Sequence, residues 1–215
     1  MSGIVTTRGD TAIPRELGHR RIFIDCGAHC GCSMKQFQKT IGSSAGKDYE
    51  IHSFECNPEF APLWVNASEA NSNVHFHNAA VWTNNGTMDF FLCTVSTHDG
   101  SSLLKEKKTG EINKTAPVTV ETVDLNAWLR ENALETDEII LKLDIEGAEY
   151  AVLEHLFNEG SLQWVNRLLI EWHWHKVGIS KQEHDRVVSL VYEAGVSLDE
   201  KEWCAQEHCV AKYKN

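Results

Sequence analysis

Residues 21–33 read Arg-Ile-Phe-Ile-Asp-Cys-Gly-Ala-His-Cys-Gly-Cys-Ser, and this stretch decides the fold. Ile22, Phe23 and Ile24 are contiguous, as expected of a strand buried on both faces. Asp25 stands near its end, Gly27 and Gly31 fall in a turn, and Met34, Phe37 and Ile41 then follow at helical spacing. A buried strand running through a glycine turn into a helix is the first half of a β-α-β unit. The same alternation recurs outward along the chain. Glu50–Glu55 reads as a second strand, with a helix starting near Pro62, since proline is tolerated at the first helical position. Val74–His77 gives a third strand and Gly86–Cys93 an extra β element. Glu138–Asp144 is a strand, and 147–157 a helix with Ala148, Val152 and Leu156 on one stripe. Arg167–Trp174 is a further strand. Val187, Leu190, Val191 and Ala194 mark the last long helix, and the tail with Cys209, Val210 and Tyr213 is placed to close the sheet. Repeated strand–helix units predict an α/β fold, its mostly parallel sheet covered by helices on both faces. Such sheets bind ligands beyond the carboxyl ends of their strands, so strand-ending residues come first in a search for a site.

Composition agrees with one globular domain. The chain of 215 residues is 42% hydrophobic and 24% charged, with only 4 Pro and 14 Gly. These values exclude disorder and low-complexity fibre. No apolar run approaches the roughly 20 residues that span a bilayer. The formal net charge is -11, which disfavours nucleic acid and anionic membrane surfaces as partners. The first residues, Met-Ser-Gly-Ile-Val-Thr-Thr-Arg, lack the basic start and apolar stretch of a signal peptide, which predicts a cytoplasmic location. In that reducing setting all seven cysteines are expected as free thiols. The spacings of Cys26, Cys30 and Cys32, and of Cys204 and Cys209, match no common zinc site.

The strand ends carry the chemistry. The turn holding Asp25, Gly27 and Gly31 lets a ligand approach the backbone, and the helix beyond it offers free N–H groups. The pattern D-x-G-x-x-x-G is not the dinucleotide G-x-G-x-x-G; it suits the glycine loop of S-adenosylmethionine enzymes. Glu55 stands at the next strand end, about 24 positions after Gly31, where a ribose diol would be gripped. In the strand 138–144, side-chain alternation puts Ile140, Lys142 and Asp144 on one face. The same parity, carried over Leu169 to His175, puts Glu171, His173 and His175 on one face. Asp144, Glu171 and His173 are thus expected to converge. A carboxylate or imidazole there would take a proton from an acceptor hydroxyl, worth about 100- to 10,000-fold in rate. Mg or Mn held by Asp144 and Glu171 would do the same by acidifying the hydroxyl. Against these roles stand Asp144 as a cap for the helix starting near Gly147, and Glu146 and Glu149 as partners of its N-terminal dipole; strand end, motif and chemistry together favour the functional role for Asp144.

On several of these pieces the chain resembles the FkbM-type S-adenosylmethionine-dependent methyltransferases, over about Arg21 to Trp174. The matching pieces are Phe23-Ile24-Asp25-Cys26-Gly27-Ala28, Ser53-Phe54-Glu55 with Asn57-Pro58, Asn78-Ala79-Ala80-Val81, Ser101-Ser102-Leu103, Leu169-Ile170-Glu171 and, most specific, Leu141-Lys142-Leu143-Asp144-Ile145-Glu146-Gly147-Ala148-Glu149. The resemblance implies a class I, Rossmann-like methyltransferase with a mostly parallel seven-stranded sheet. It implies S-adenosylmethionine bound by Asp25, Gly27, Gly31, Glu55 and Asn78, and catalysis by Asp144, His173 and Lys142. It also implies methyl transfer to a hydroxyl of a saccharide or a similar polyhydroxylated small molecule. The sequence departs from the family at His29, where Asn is usual, and at Cys56, where Pro is usual. Residues 1–215 are read as one such domain, with 1–20 an N-terminal extension and 94–115 a candidate lid.

Two other readings stay open at this level. Lys142, Asp144 and Glu171 mimic part of the set used by ribose 2′-O-methyltransferases of RNA, and Lys105, Lys107, Lys108 and Lys114 form a basic cluster, although the -11 charge opposes it. A cofactor-binding protein without catalysis is the other.

Overall fold

The computed structural model describes residues 20–44, 49–95 and 100–200. Its core is a six-stranded sheet in the order β3-β2-β1-β7-β8-β9. These strands are β1 (Arg21–Cys26), β2 (Tyr49–Phe54), β3 (Val74–His77), β7 (Glu138–Leu143), β8 (Val165–Ile170) and β9 (Ser197–Asp199). Every neighbouring pair is parallel. The chain first builds outward from β1 to β3, then returns to β7 on the other flank of β1. The strand order therefore reverses between β1 and β7, which is where an open parallel sheet leaves a crevice.

β1 shows why the contiguous apolar run is needed. Ile22, Ile24 and Cys26 enter one core with α3 (Leu125–Asn132), α4 (Glu149–Asn158) and α6 (Lys181–Glu193). Phe23 enters a second core with Phe37 of α1 (Cys32–Ser44) and Trp64 of α2 (Ala61–Ala70). Helices thus cover both faces, as the sequence predicts. Among the described residues no helix is long and apolar enough to cross a membrane.

Among the described residues the core sheet has six strands where seven are expected, and a separate small sheet lies beside it. β5 (Gly86–Phe90) does not join the core sheet; it pairs antiparallel with β6 (Val118–Asp124), which pairs parallel with β4 (Ala80–Trp82). Val118–Asp124 carries a weak apolar signal in the sequence, because only Val120 and Thr122 are buried and the position between them is polar. The proposed closing tail, 209–213, lies outside the described residues. The strand expected over Arg167–Trp174 runs over Val165–Ile170 instead; the chain leaves the sheet at Glu171 and enters a short helix, α5 (Trp174–Val177).

Candidate active site

A cleft opens beyond the carboxyl ends of β1, β2, β7 and β8, at the point where the strand order reverses. Gly27, Glu55, Lys142, Asp144, Glu146 and Glu171 are on its wall. Phe60, Ala79, Val81 and Leu103 supply an apolar side. Asp25, Gly31, Asn78 and His173 are not part of the wall. Asn78 is exposed.

The glycine turn is locked by the strand next to it. The N–H groups of Gly27 and Ala28 both donate to the Phe54 carbonyl, at 3.0 and 3.1 Å. Gly27 has φ +78, and a Cβ there would stand 1.9 Å from the Asp144 carbonyl oxygen. Two costs therefore oppose any side chain: left-handed backbone, and backbone that cannot move aside. Gly27→Ala is expected to lose about 3 kcal/mol or more in urea unfolding. A loss under about 1 kcal/mol would mean that the turn relaxes freely. His29 is also left-handed, at φ +47. Asn and His are both enriched in that region, so the departure from Asn keeps the turn. Its ring packs on Phe60 at 4.0 Å, and its carbonyl accepts from Trp64 Nε1 at 2.7 Å.

Asp25 lies behind this turn with no exposure. Its Oδ2 accepts from Ser33 Oγ at 2.6 Å, and Lys142 Nζ is 3.1 Å from Oδ1. Lys142 Nζ also donates to the Gly27 carbonyl at 3.1 Å and stands 3.6 Å from Asp144 Oδ2. Burial works against the Lys142 charge, but Asp25 and Asp144 outweigh it and hold the ammonium well above its ordinary range. Lys142 thus ties β7 to the glycine turn and sets a positive charge beside Asp144. Glu55 does the corresponding work at β2. Its two oxygens accept the His29 and Asn57 N–H groups, each at 2.7 Å. Burial pushes its carboxyl up to about 7 against those two bonds. Each oxygen keeps a second acceptor position.

The centre is an imidazole ringed by carboxylates. His173 is fully buried, and its Nδ1 pairs with Glu149 Oε1 at 2.8 Å. Its Nε2 lies 3.2 Å from Glu171, 3.5 Å from Glu146 and 3.8 Å from Asp144. Burial alone would push the imidazole down; the bond to Glu149, with Glu171 and Glu146 close by, outweighs it and lifts the group to about 10. That shift favours the protonated imidazole over the free base that a proton acceptor needs. The close His173 contact holds Glu171 down at about 2. Burial raises Asp144 to about 6, Lys142 opposing and Glu171 adding to the rise. One ligand atom each from Asp144, Glu146 and His173 lies within 4.8 Å of the others.

The convergence of Asp144, Glu171 and His173 is as expected, but its cause is not strand parity, because β8 has ended before Glu171. The helix-cap reading of Asp144 does not hold: α4 begins at Glu149, its cap position is Ala148, and no side chain caps it. Glu149 is the residue that sequence reasoning missed. Fully buried, it accepts the N–H groups of Ile145 and Gly147, both at 2.9 Å, and so folds the turn that aims Asp144 and Glu146. A glutamate in the first turn of a helix is fully accounted for by the dipole, so nothing in the sequence marked this contact.

The described part of 94–115 is tied to the cleft at several points and is solvated elsewhere. Leu103 and Lys107 are buried, and Lys107 Nζ pairs with Glu146 at 2.7 Å and donates to the Gly100 carbonyl. Ser102 Oγ donates to the Glu146 carbonyl at 2.8 Å, and the Lys108 N–H to the Lys176 carbonyl at 2.7 Å. The basic cluster is therefore split, with Lys107 turned inward. Cys26, Cys32, Cys56 and Cys93 are reduced.

The family model described as the methyltransferase FkbM domain matches residues 25–198. The crystal structure of methyltransferase FkbM from Methylobacillus flagellatus KT is similar, with a TM-score of 0.47 and 14% identity over 80% of this chain. The present chain spans 37% of that protein's chain. No curated protein matches the sequence.

Proposed function

The chain belongs to the FkbM methyltransferase family, and on that premise we propose that it transfers a methyl group from S-adenosylmethionine to a hydroxyl of a sugar, a glycan or a similar polyhydroxylated small molecule. The observation that carries the reading is the acidic centre at the sheet's reversal point, where Asp144, Glu146 and Glu171 share the wall of the cleft with the glycine turn and Glu55.

The residues present fit the cofactor. Glu55 keeps acceptor positions for a ribose diol, the apolar side by Phe60, Ala79 and Val81 suits an adenine face, and the carboxylates complement a sulfonium charge. S-adenosylmethionine supplies, when bound, a methyl group on a positively charged sulfur. The work left to the chain is to present the acceptor oxygen and take its proton. Asp144 takes that role in this reading, supported by its position on the wall, a carboxyl raised to about 6 by burial, and Lys142 Nζ beside its Oδ2. His173 and Glu149 fix the turn and the charge around it. Asp144 and Glu171, with Glu146 and His173 beside them, would also suit Mg or Mn, which would acidify the hydroxyl.

A screen with methyl-labelled S-adenosylmethionine against sugars, glycans and RNA tests the proposal. Label is expected on a hydroxylated small acceptor. Label on RNA alone, or on nothing while the cofactor binds, overturns it. Glu55→Ala is expected to weaken binding of the demethylated cofactor by roughly 2–4 kcal/mol in calorimetry, because two charge-assisted hydrogen bonds are lost. Unchanged affinity in the folded variant would remove Glu55 from the cofactor site.

A further inference from the structure

We propose that Glu50, His52 and His75 form a second site, for one divalent transition ion of the zinc type, at the end of the sheet opposite the cleft. Glu50 and His52 are two residues apart on β2 and so share a face. His75 stands beside His52 in the parallel register of β2 and β3, and the two rings stack at 4.8 Å between centroids. Glu50 Oε1 is 3.0 Å from His52 Nε2 and 3.6 Å from His75 Nε2. All three atoms lie within 4.8 Å of one another. A tetrahedral ion with bonds of about 2.0–2.1 Å needs ligand atoms about 3.3 Å apart, so small side-chain rotations close the set.

The atoms behind the ligands are already tied, as in an organised metal site. His52 Nδ1 pairs with His77 Nε2 at 3.1 Å, which leaves Nε2 as its outward nitrogen. Glu50 Oε2 accepts from Arg20 Nε at 2.9 Å, which leaves Oε1 toward the histidines. Trp128 packs edge-on against the His52 ring at 4.7 Å and holds its plane. A surface pocket lined by Glu50, Asn73 and His75 together with Arg20 and Arg21 gives an ion access, and His75 is 44% exposed, so a coordination position stays open to water. Two imidazoles and one carboxylate favour zinc and its neighbours over Mg or Ca. From Glu50 to Glu55 along β2 is about 16 Å at about 3.3 Å per residue, so this cluster is separate from the acidic centre.

Calorimetric titration with Zn²⁺ alone, at neutral pH without chelator, tests the site in the wild-type chain and in His75→Ala. The wild type is expected to take up one equivalent that His75→Ala binds more than about 100-fold more weakly, beyond the tenfold to hundredfold that loss of a supporting partner costs. Glu50→Gln should weaken the same equivalent, and Asp144→Asn should keep it. Methyl transfer by His75→Ala should equal the wild type, so the two proposals fail independently. Identical Zn²⁺ titrations of wild type and His75→Ala would overturn the site. So would an equivalent that Asp144→Asn loses and His75→Ala retains.

Discussion

Asp144→Asn should give a folded protein that binds cofactor and has lost at least about 100-fold of its turnover. The substitution keeps the size of the side chain and one oxygen but removes the charge. No helix cap is lost, because α4 is not capped by Asp144. Lys142 keeps Asp25 at 3.1 Å, and His173 keeps Glu149 at 2.8 Å, so neither buried cation is stranded. The expected damage is therefore confined to proton transfer. Steady-state rates per folded molecule, with melting temperature and cofactor affinity as controls, measure it. A structural aspartate would show the reverse pattern, a lowered melting temperature with rates nearly intact. Full activity of Asp144→Asn would sink the mechanism. Chelation divides its two forms: loss of wild-type activity, restored by Mg or Mn, assigns the acidification to an ion, and indifference to chelator assigns it to Asp144 alone.

Lys142→Met should be the most destabilising single change, at about 3–5 kcal/mol, because it strands a buried carboxylate. Asp25 has no exposure; its Oδ2 is satisfied by Ser33, but among the described residues its Oδ1 has only the Lys142 ammonium. Methionine preserves the aliphatic stem, so the loss would come from charge and not from a cavity. Adding Asp25→Asn to Lys142→Met removes the stranded charge and should recover a substantial part of the stability. Urea unfolding of both variants and the double variant closes the cycle. A loss under about 1 kcal/mol in Lys142→Met would show that water reaches Asp25 and that the pair does not hold the turn.

The sequence by itself determined the layered architecture and the location of the cleft. Contiguous apolar residues such as Ile22, Phe23 and Ile24 can be buried only between two helical layers, and Gly27 reads as a tight turn, while the Asp144 carbonyl that bars a side chain there belongs to the fold. Asp144 and Glu55 were legible for a similar reason, as charged groups at strand ends where ligands collect. What the tertiary structure decided is who meets whom across long separations. The partition of strands into six and three depended on Val118–Asp124 finding Gly86–Phe90, a pairing that local periodicity does not encode. The surroundings of His173 depended on Glu149, Glu146 and Glu171 arriving around one ring from two different turns, which gives the imidazole carboxylate partners that strand parity does not show. Lys107 reads in sequence as one more solvated lysine; only the fold turns it inward onto Glu146. Burial and charge pairing are properties of assembled neighbours, and a residue's neighbours in space are not its neighbours in the chain.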